Sequence, residues 1–198
     1  MVENKKSKQA DDDDENITFG YTKPDDYKDG MYDELTGIPS FNLYEDRLQV
    51  ALTNEKVKDQ RMRRLKIAVV GIYIENFAEL SAAGQRQVLK KNAEALIKAL
   101  PLNYTVARGI NYQFWLMMPY LSTKADAEVM VERVRDALVG KLSDNGKEVR
   151  LKYKIGISLF EHNPDDTVTT MVGKAIYALQ KAKAGKKDVV YFSDLDEA

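Results

Sequence analysis

One stretch constrains this chain more than any other: Val106-Ala107-Arg108-Gly109-Ile110-Asn111-Tyr112-Gln113-Phe114-Trp115-Leu116-Met117-Met118-Pro119. Its order predicts two strands joined by a tight turn. Val106 to Arg108 ends the first strand. Gly109, Ile110 and Asn111 make the turn, because Gly and Asn tolerate positive φ. Tyr112 to Met118 is apolar at nearly every position, as a strand buried on both faces requires. Pro119 has no backbone N–H and is expected to end the pairing.

The residues on either side read as alternating helices and strands. Gly37-Ile38-Pro39-Ser40 is a punctuated turn, with Ser40 a candidate cap for a helix over about 41–62. Gln60 to Arg64 is a basic end that suits a helix C-terminus and also admits a phosphate. Leu65 to Ile74 is an apolar run expected in a central strand. A helix follows over about 85–99. Ser122 or Thr123 caps another that reaches about Val139. Asp144-Asn145-Gly146 is a hairpin turn. Val149 to Phe160 reads as one strand, Asp165 to Ala184 as a helix, and Val189 to Phe192 as the last strand.

The first thirty residues differ in kind. They hold nine acidic residues against five lysines, and Asp11-Asp12-Asp13-Asp14-Glu15 repels itself. Residues 1–30 therefore read as a disordered acidic tail. Residues 31–192 read as one domain, and 193–198 as a short acidic end. Within the tail, Asp11, Asp12, Asp13 and Asp14 are candidate contacts for a basic partner. The chain of 198 residues carries a net charge of −1, which gives no nucleic-acid signature. No apolar run approaches the ~20 residues of a membrane span, so no membrane insertion is expected. Zero Cys and a single His exclude thiolate chemistry and a His-based metal site. No signal-peptide segment opens the sequence, and a cytoplasmic location is expected, with polar recruitment through a partner as an option.

The motifs in order resemble the GGDEF family, the diguanylate cyclases. Asp33-Glu34-Leu35-Thr36-Gly37-Ile38-Pro39-Ser40 is similar to the family's opening D-x-L-T-G-L-P-N. The Val-Ala-Arg hairpin, the Ile155-Gly156-Ile157 strand and Ala182-Lys183 followed by Gly185 also fall in family order. The resemblance spans about residues 31–192. It implies an α/β (α+β) fold with a ferredoxin-like βαββαβ core, its central mixed and mostly antiparallel sheet flanked by helices.

The same resemblance implies that the chemistry has been removed. Ile110-Asn111-Tyr112-Gln113-Phe114 takes the place of G-G-D-E-F, and only the Phe survives. Tyr73 takes the place of the first metal-holding Asp. A phenol, with a pKa near ~10, is no hard anionic ligand at neutral pH. The family's R-x-x-D inhibitory corners fall on Pro101 and Tyr104, and its guanine-reading positions on Ser81 and Arg86. No metal and no cofactor is therefore expected, and no enzymatic activity.

The expected role is a protein-interaction or regulatory module in cyclic di-GMP-related signalling, around motility, polarity or biofilm. Its partner would be another signalling or motility protein, met through Tyr112, Gln113 and Trp115 or through the acidic tail. The alternatives are a non-turnover receptor for cyclic di-GMP or GTP, and a pseudoenzyme that regulates an active cyclase. For a receptor, Arg108, Lys183 and Lys186 are the candidate phosphate contacts. Both lysines equally suit an ordinary helix C-terminus.

Overall fold

The structure, a computed structural model, describes residues 30–58, 64–110 and 112–195. The expected acidic tail, through residue 29, lies outside the described residues. So does Asn111.

Five strands form the central sheet in the order β2-β3-β1-β6-β7. They are β1 (Lys66–Ile74), β2 (Thr105–Arg108), β3 (Phe114–Leu121), β6 (Tyr153–Phe160) and β7 (Val189–Tyr191). All pairs are antiparallel except β6 with β7, which is parallel. The sheet is thus mixed and mostly antiparallel, as the motif order implies. The helices are α1 (Phe41–Lys56), α2 (Ala82–Ala99), α3 (Lys124–Ala137) and α4 (Val168–Ala184). Strands β4 (Lys141–Asp144) and β5 (Lys147–Arg150) make a separate hairpin.

Strand β1 shows why the two faces are distinct. Its side chains alternate. Ala68, Val70, Ile72 and Ile74 join Val88 and Leu96 of α2 and Val131 and Val134 of α3 in one core cluster. Ile67 and Val69 join Tyr44, Leu48 and Leu52 of α1 and Met171 and Ala175 of α4 in the other. Helices α1 and α4 therefore cover one face, and α2 and α3 the other.

Several boundaries differ from the sequence reading, each for a physical reason. Helix α1 stops at Lys56, where its buried stripe Tyr44, Leu48, Leu52 and Glu55 runs out. Ser40 stands at its N-cap position but caps nothing with its side chain. Its hydroxyl donates instead to Gly30 O at 2.6 Å. Pro119 does not end the pairing. Strand β3 continues past it to Leu121↔Lys66 through a register shift, where a residue without an N–H is tolerated. The expected single strand over 149–160 is two. Leu151 N–H donates to Gly140 O and Lys152 N–H to Asn76 Oδ1, which pulls the chain away between β5 and β6. The Asn145-Gly146 turn is as expected, with φ of 50° and 76°. Thr123 caps α3 in a reciprocal capping box with Asp126.

Candidate functional site

The β2–β3 turn carries the residues that the sequence singles out. Gly109 N–H donates to Gln113 O at 2.9 Å, and Gln113 N–H to Ile110 O at 3.3 Å. Among the described residues of the turn, Tyr112 is left-handed, with φ of 58°, and Gly109 is not. Gly109 is required for another reason. A Cβ there would lie 2.4 Å from Trp115 Cδ1. Ile110 stands at the tip and is 73% exposed.

Tyr112 turns its ring back onto the domain. It stacks on Phe77, with centroids 4.1 Å apart and planes 15° from parallel. Its centroid is 6.3 Å from that of Tyr73 at the end of β1. Lys183, near the end of α4, holds its Nζ 4.0 Å from the Tyr73 ring centroid, in a cation–π contact. Three elements thus converge on one aromatic cluster, Tyr73, Phe77 and Tyr112, with one ammonium against it. Phe77 is buried, while Tyr73 and Tyr112 are half-buried. Phe77 matches the Phe that closes the family's D-x-D-x-F strand end, but its place in this cluster is not signalled by the sequence. Its role depends on the positive φ of Tyr112, which no local pattern announces.

Arg108 is a brace. Its Nη1 donates to Gln113 O at 2.8 Å, and its Nε lies 3.8 Å from Asp33 Oδ2. Its guanidinium also lies 5.3 Å from the Phe114 ring centroid. Burial lowers its pKa, and the Asp33 carboxylate opposes that. Asp33 also accepts from Thr36 N–H and Oγ1–H, which ties the opening turn to the hairpin. The D-x-x-T spacing is a legible signal for that turn. Arg108, expected as a candidate phosphate contact, gives one N–H to Gln113 O, while its buried Nε has no hydrogen-bond partner among the described residues.

Trp115 corrects a second expectation. It is 2% exposed and lies against Phe41 and Tyr44 on the α1 face. Its Nε1 donates to Gln113 Oε1 at 3.3 Å. It is a core residue and cannot be a partner contact. Phe114 is fully buried on the opposite face.

The other candidates lie apart. Lys186 is exposed beyond α4. Pro101 is exposed, and Tyr104 N–H donates to Pro101 O at 3.0 Å in a simple turn before β2. Burial and then the Asp126 charge raise the Tyr104 pKa, so this corner is a neutral phenol. Ser81 is the N-cap of α2. Its hydroxyl accepts from Gly84 N–H and donates to Asp144, which also accepts from Ser81 N–H. Those hydrogen bonds hold the Asp144 carboxyl below its ordinary range. Arg86 lines a cleft of about 690 Å³ with Asp33, Glu34, Phe41, Arg108 and Gly109. Among the described residues, no group of three or more His, Cys, Asp or Glu could hold a metal ion.

The family model for the diguanylate cyclase, GGDEF domain, matches residues 30–188. The chain belongs to the GGDEF domain family. Solved GGDEF structures share its fold. The GGDEF domain of TpbB or YfiN from Pseudomonas aeruginosa is 23% identical, with a TM-score of 0.72, covering 84% of this chain and 99% of that one. The GGDEF domain of DgcB from Caulobacter crescentus, in complex with c-di-GMP, is 16% identical, with a TM-score of 0.71, covering 84% and 98%. The diguanylate cyclase SiaD from Pseudomonas aeruginosa, in complex with its activator SiaC, is 23% identical, with a TM-score of 0.67, covering 81% and 61%. No curated protein matches the chain. No helix among the described residues is long and apolar enough to cross a membrane.

In this GGDEF domain the β2–β3 hairpin carries Tyr112, Gln113 and Phe114, and β1 carries Tyr73. What the aromatic cluster can do chemically is limited to stacking, cation–π contact and phenolic hydrogen bonding.

Proposed function

We propose that this GGDEF domain is a non-catalytic interaction module in cyclic di-GMP-related signalling, recruited to its site of action by a protein partner. One observation carries the reading. Tyr112, which the sequence resemblance sets against a family carboxylate, stacks its ring on Phe77 beside Tyr73 and Lys183. Joining two nucleoside triphosphates needs divalent ions held by anionic oxygens, to neutralise charge on the phosphates. Tyr73 and Tyr112 bring no carboxylate oxygens, and the Lys183 ammonium lies against the Tyr73 ring.

The partner reading rests on what remains outside. Ile110 presents an exposed apolar side chain at the hairpin tip, next to the half-buried Tyr112 and Gln113. Apolar and aromatic groups on a turn suit the centre of a protein interface. The SiaD–SiaC complex provides a precedent for a GGDEF protein that binds a protein regulator. The acidic run Asp11 to Asp14 is a second candidate contact, suited to a basic partner. Cytoplasmic placement and polar recruitment belong to the same proposal, as does an effect on an active cyclase through pairing.

Two measurements test the reading. Purified protein incubated with GTP and magnesium is expected to form no cyclic di-GMP; its formation would overturn the proposal. Tyr112→Ala and Ile110→Ser are expected to weaken partner binding by about tenfold or more, as hot-spot truncations do. Their thermal midpoints should stay within a few degrees of the native value. Unchanged partner affinity in both variants and in an Asp11–Asp14 alanine variant would count against the interaction surface.

A further inference from the structure

The opposite end of the sheet holds a second concentration of chemistry. Strand β1 is nine residues long, so its first residue lies roughly 25 Å from the hairpin end. A pocket of about 300 Å³ opens there, lined by Glu55, Lys56, Arg64, Phe160, His162 and Pro164. We propose that this pocket binds a small phosphoryl anion, with His162, Arg64 and Lys56 as its contacts.

The His162 ring makes the case. Among the described residues its Nε2 is buried and has no hydrogen-bond partner. Buried polar atoms are nearly always paired, so an orphan calls for an explanation. The backbone of His162 is left-handed, with φ of 67°, an unusual conformation for a residue with a side chain. Its ring packs edge-on against Phe160, with centroids 5.1 Å apart. Among the described residues this imidazole therefore has one nitrogen unsatisfied.

The surrounding charge is of one dominant sign. Lys56 and Arg64 line the pocket, and Lys58 and Lys66 lie near enough to act on His162. Burial lowers the His162 pKa most, and Arg64, Lys66 and Lys58 lower it further, while Glu55 alone opposes them. Glu55 is already engaged, by Lys58 and by Leu65 N–H at 3.1 Å. Glu161 pairs with Lys66. Lys56 gives one N–H to Pro164 O at 2.8 Å and keeps two further donors. A guanidinium, an ammonium and an imidazole around a small cavity match a tetrahedral dianion better than a planar carboxylate. The cavity is at the lower limit for ligand pockets, which restricts the ligand to a phosphate or a small phosphomonoester.

An anion there reverses the electrostatics of the ring. Burial first and then the cations disfavour the protonated ring, and a bound dianion favours it, so binding promotes proton uptake. His162 is the only histidine in the chain, which makes its ring-proton NMR signals unambiguous. The full chain is titrated with inorganic phosphate and, separately, with adenosine monophosphate, against chloride at matched ionic strength. The expected result is a saturable shift of the His162 signal with a phosphoryl ligand and a rise of about one unit in its pKa. The tighter of the two ligands identifies free phosphate or a phosphomonoester. Arg64→Ala is expected to weaken the response about tenfold, and Tyr112→Ala to leave it unchanged. A response that chloride reproduces, no response to either phosphoryl ligand, or full affinity in Arg64→Ala would overturn the site.

Discussion

Gly156→Val is expected to cost about 3 kcal/mol of stability, the upper range for forced overpacking. Gly156 lies in the middle of β6, opposite Gly71 of β1 and Val190 of β7. A Cβ at this position would lie 2.2 Å from Leu179 N and 2.4 Å from Ala175 O. Both are backbone atoms of α4, so no rotamer change relieves the contact. Helix α4 must lift off the sheet, and with it the fully buried side chains of Met171, Ala175 and Ala178. Lys183 rides on the same helix, so its contact with Tyr73 would be lost as well. For a domain of this size the thermal midpoint should fall by roughly 6–12 °C. Gly156→Ala already places the offending atom and should show much of the effect. A native midpoint in both variants would mean that α4 does not pack on β6 as described.

Trp115→Ala is expected to cost about 3–5 kcal/mol, as for other large aromatic truncations in cores. The indole fills the space between Phe41 and Tyr44 of α1, and lies over Gly71 of β1 and Gly109 of the turn. Its removal leaves a cavity beneath the hairpin and frees Gln113 Oε1. Tyr44 is expected to lose packing there. Its phenol, whose burial raises its pKa well above the ordinary range, still donates to Leu116 O at 3.2 Å. The variant should unfold at lower urea concentration. Trp115 is the only tryptophan, so native emission should be blue-shifted and should move red on unfolding. Solvent-like emission from the native protein, with a small cost in Trp115→Ala, would restore Trp115 as a surface residue.

The frame of the domain was readable because it rests on local signals. Apolar runs marked β1, β3 and β6. Asn145-Gly146 marked a hairpin, and Thr123 marked the start of α3. Motif order then fixed which strands meet. What the residues could not tell is which way a fully apolar strand faces. In β3, Phe114 to Pro119 are all buried, so alternation does not separate one face from the other. Trp115 therefore read as a contact residue and proved to be core. Pairing across long separations was equally hidden. The break between β5 and β6 depends on Asn76 and Gly140, far away in the chain.

At the candidate site, the motif alone sets Tyr73, Tyr112 and Gln113 against acids of the family pattern, which is an expectation from the resemblance. The contacts that these residues make were not readable. The stacking of Tyr112 on Phe77 requires a left-handed tyrosine, and the Lys183 contact joins α4 to β1. The brace from Arg108 to Asp33 also crosses from the hairpin to the opening turn. Each is a tertiary contact between residues whose local patterns suggest only strand, turn or helix end.

Calorimetric titration of the purified chain with GTP and with cyclic di-GMP, each with and without magnesium, separates an interaction module from a nucleotide receptor. On the proposed non-catalytic reading, no saturable heat is expected with either nucleotide at micromolar concentrations. Saturable micromolar binding that is lost in Lys183→Ala would contradict the account and make this domain a nucleotide receptor.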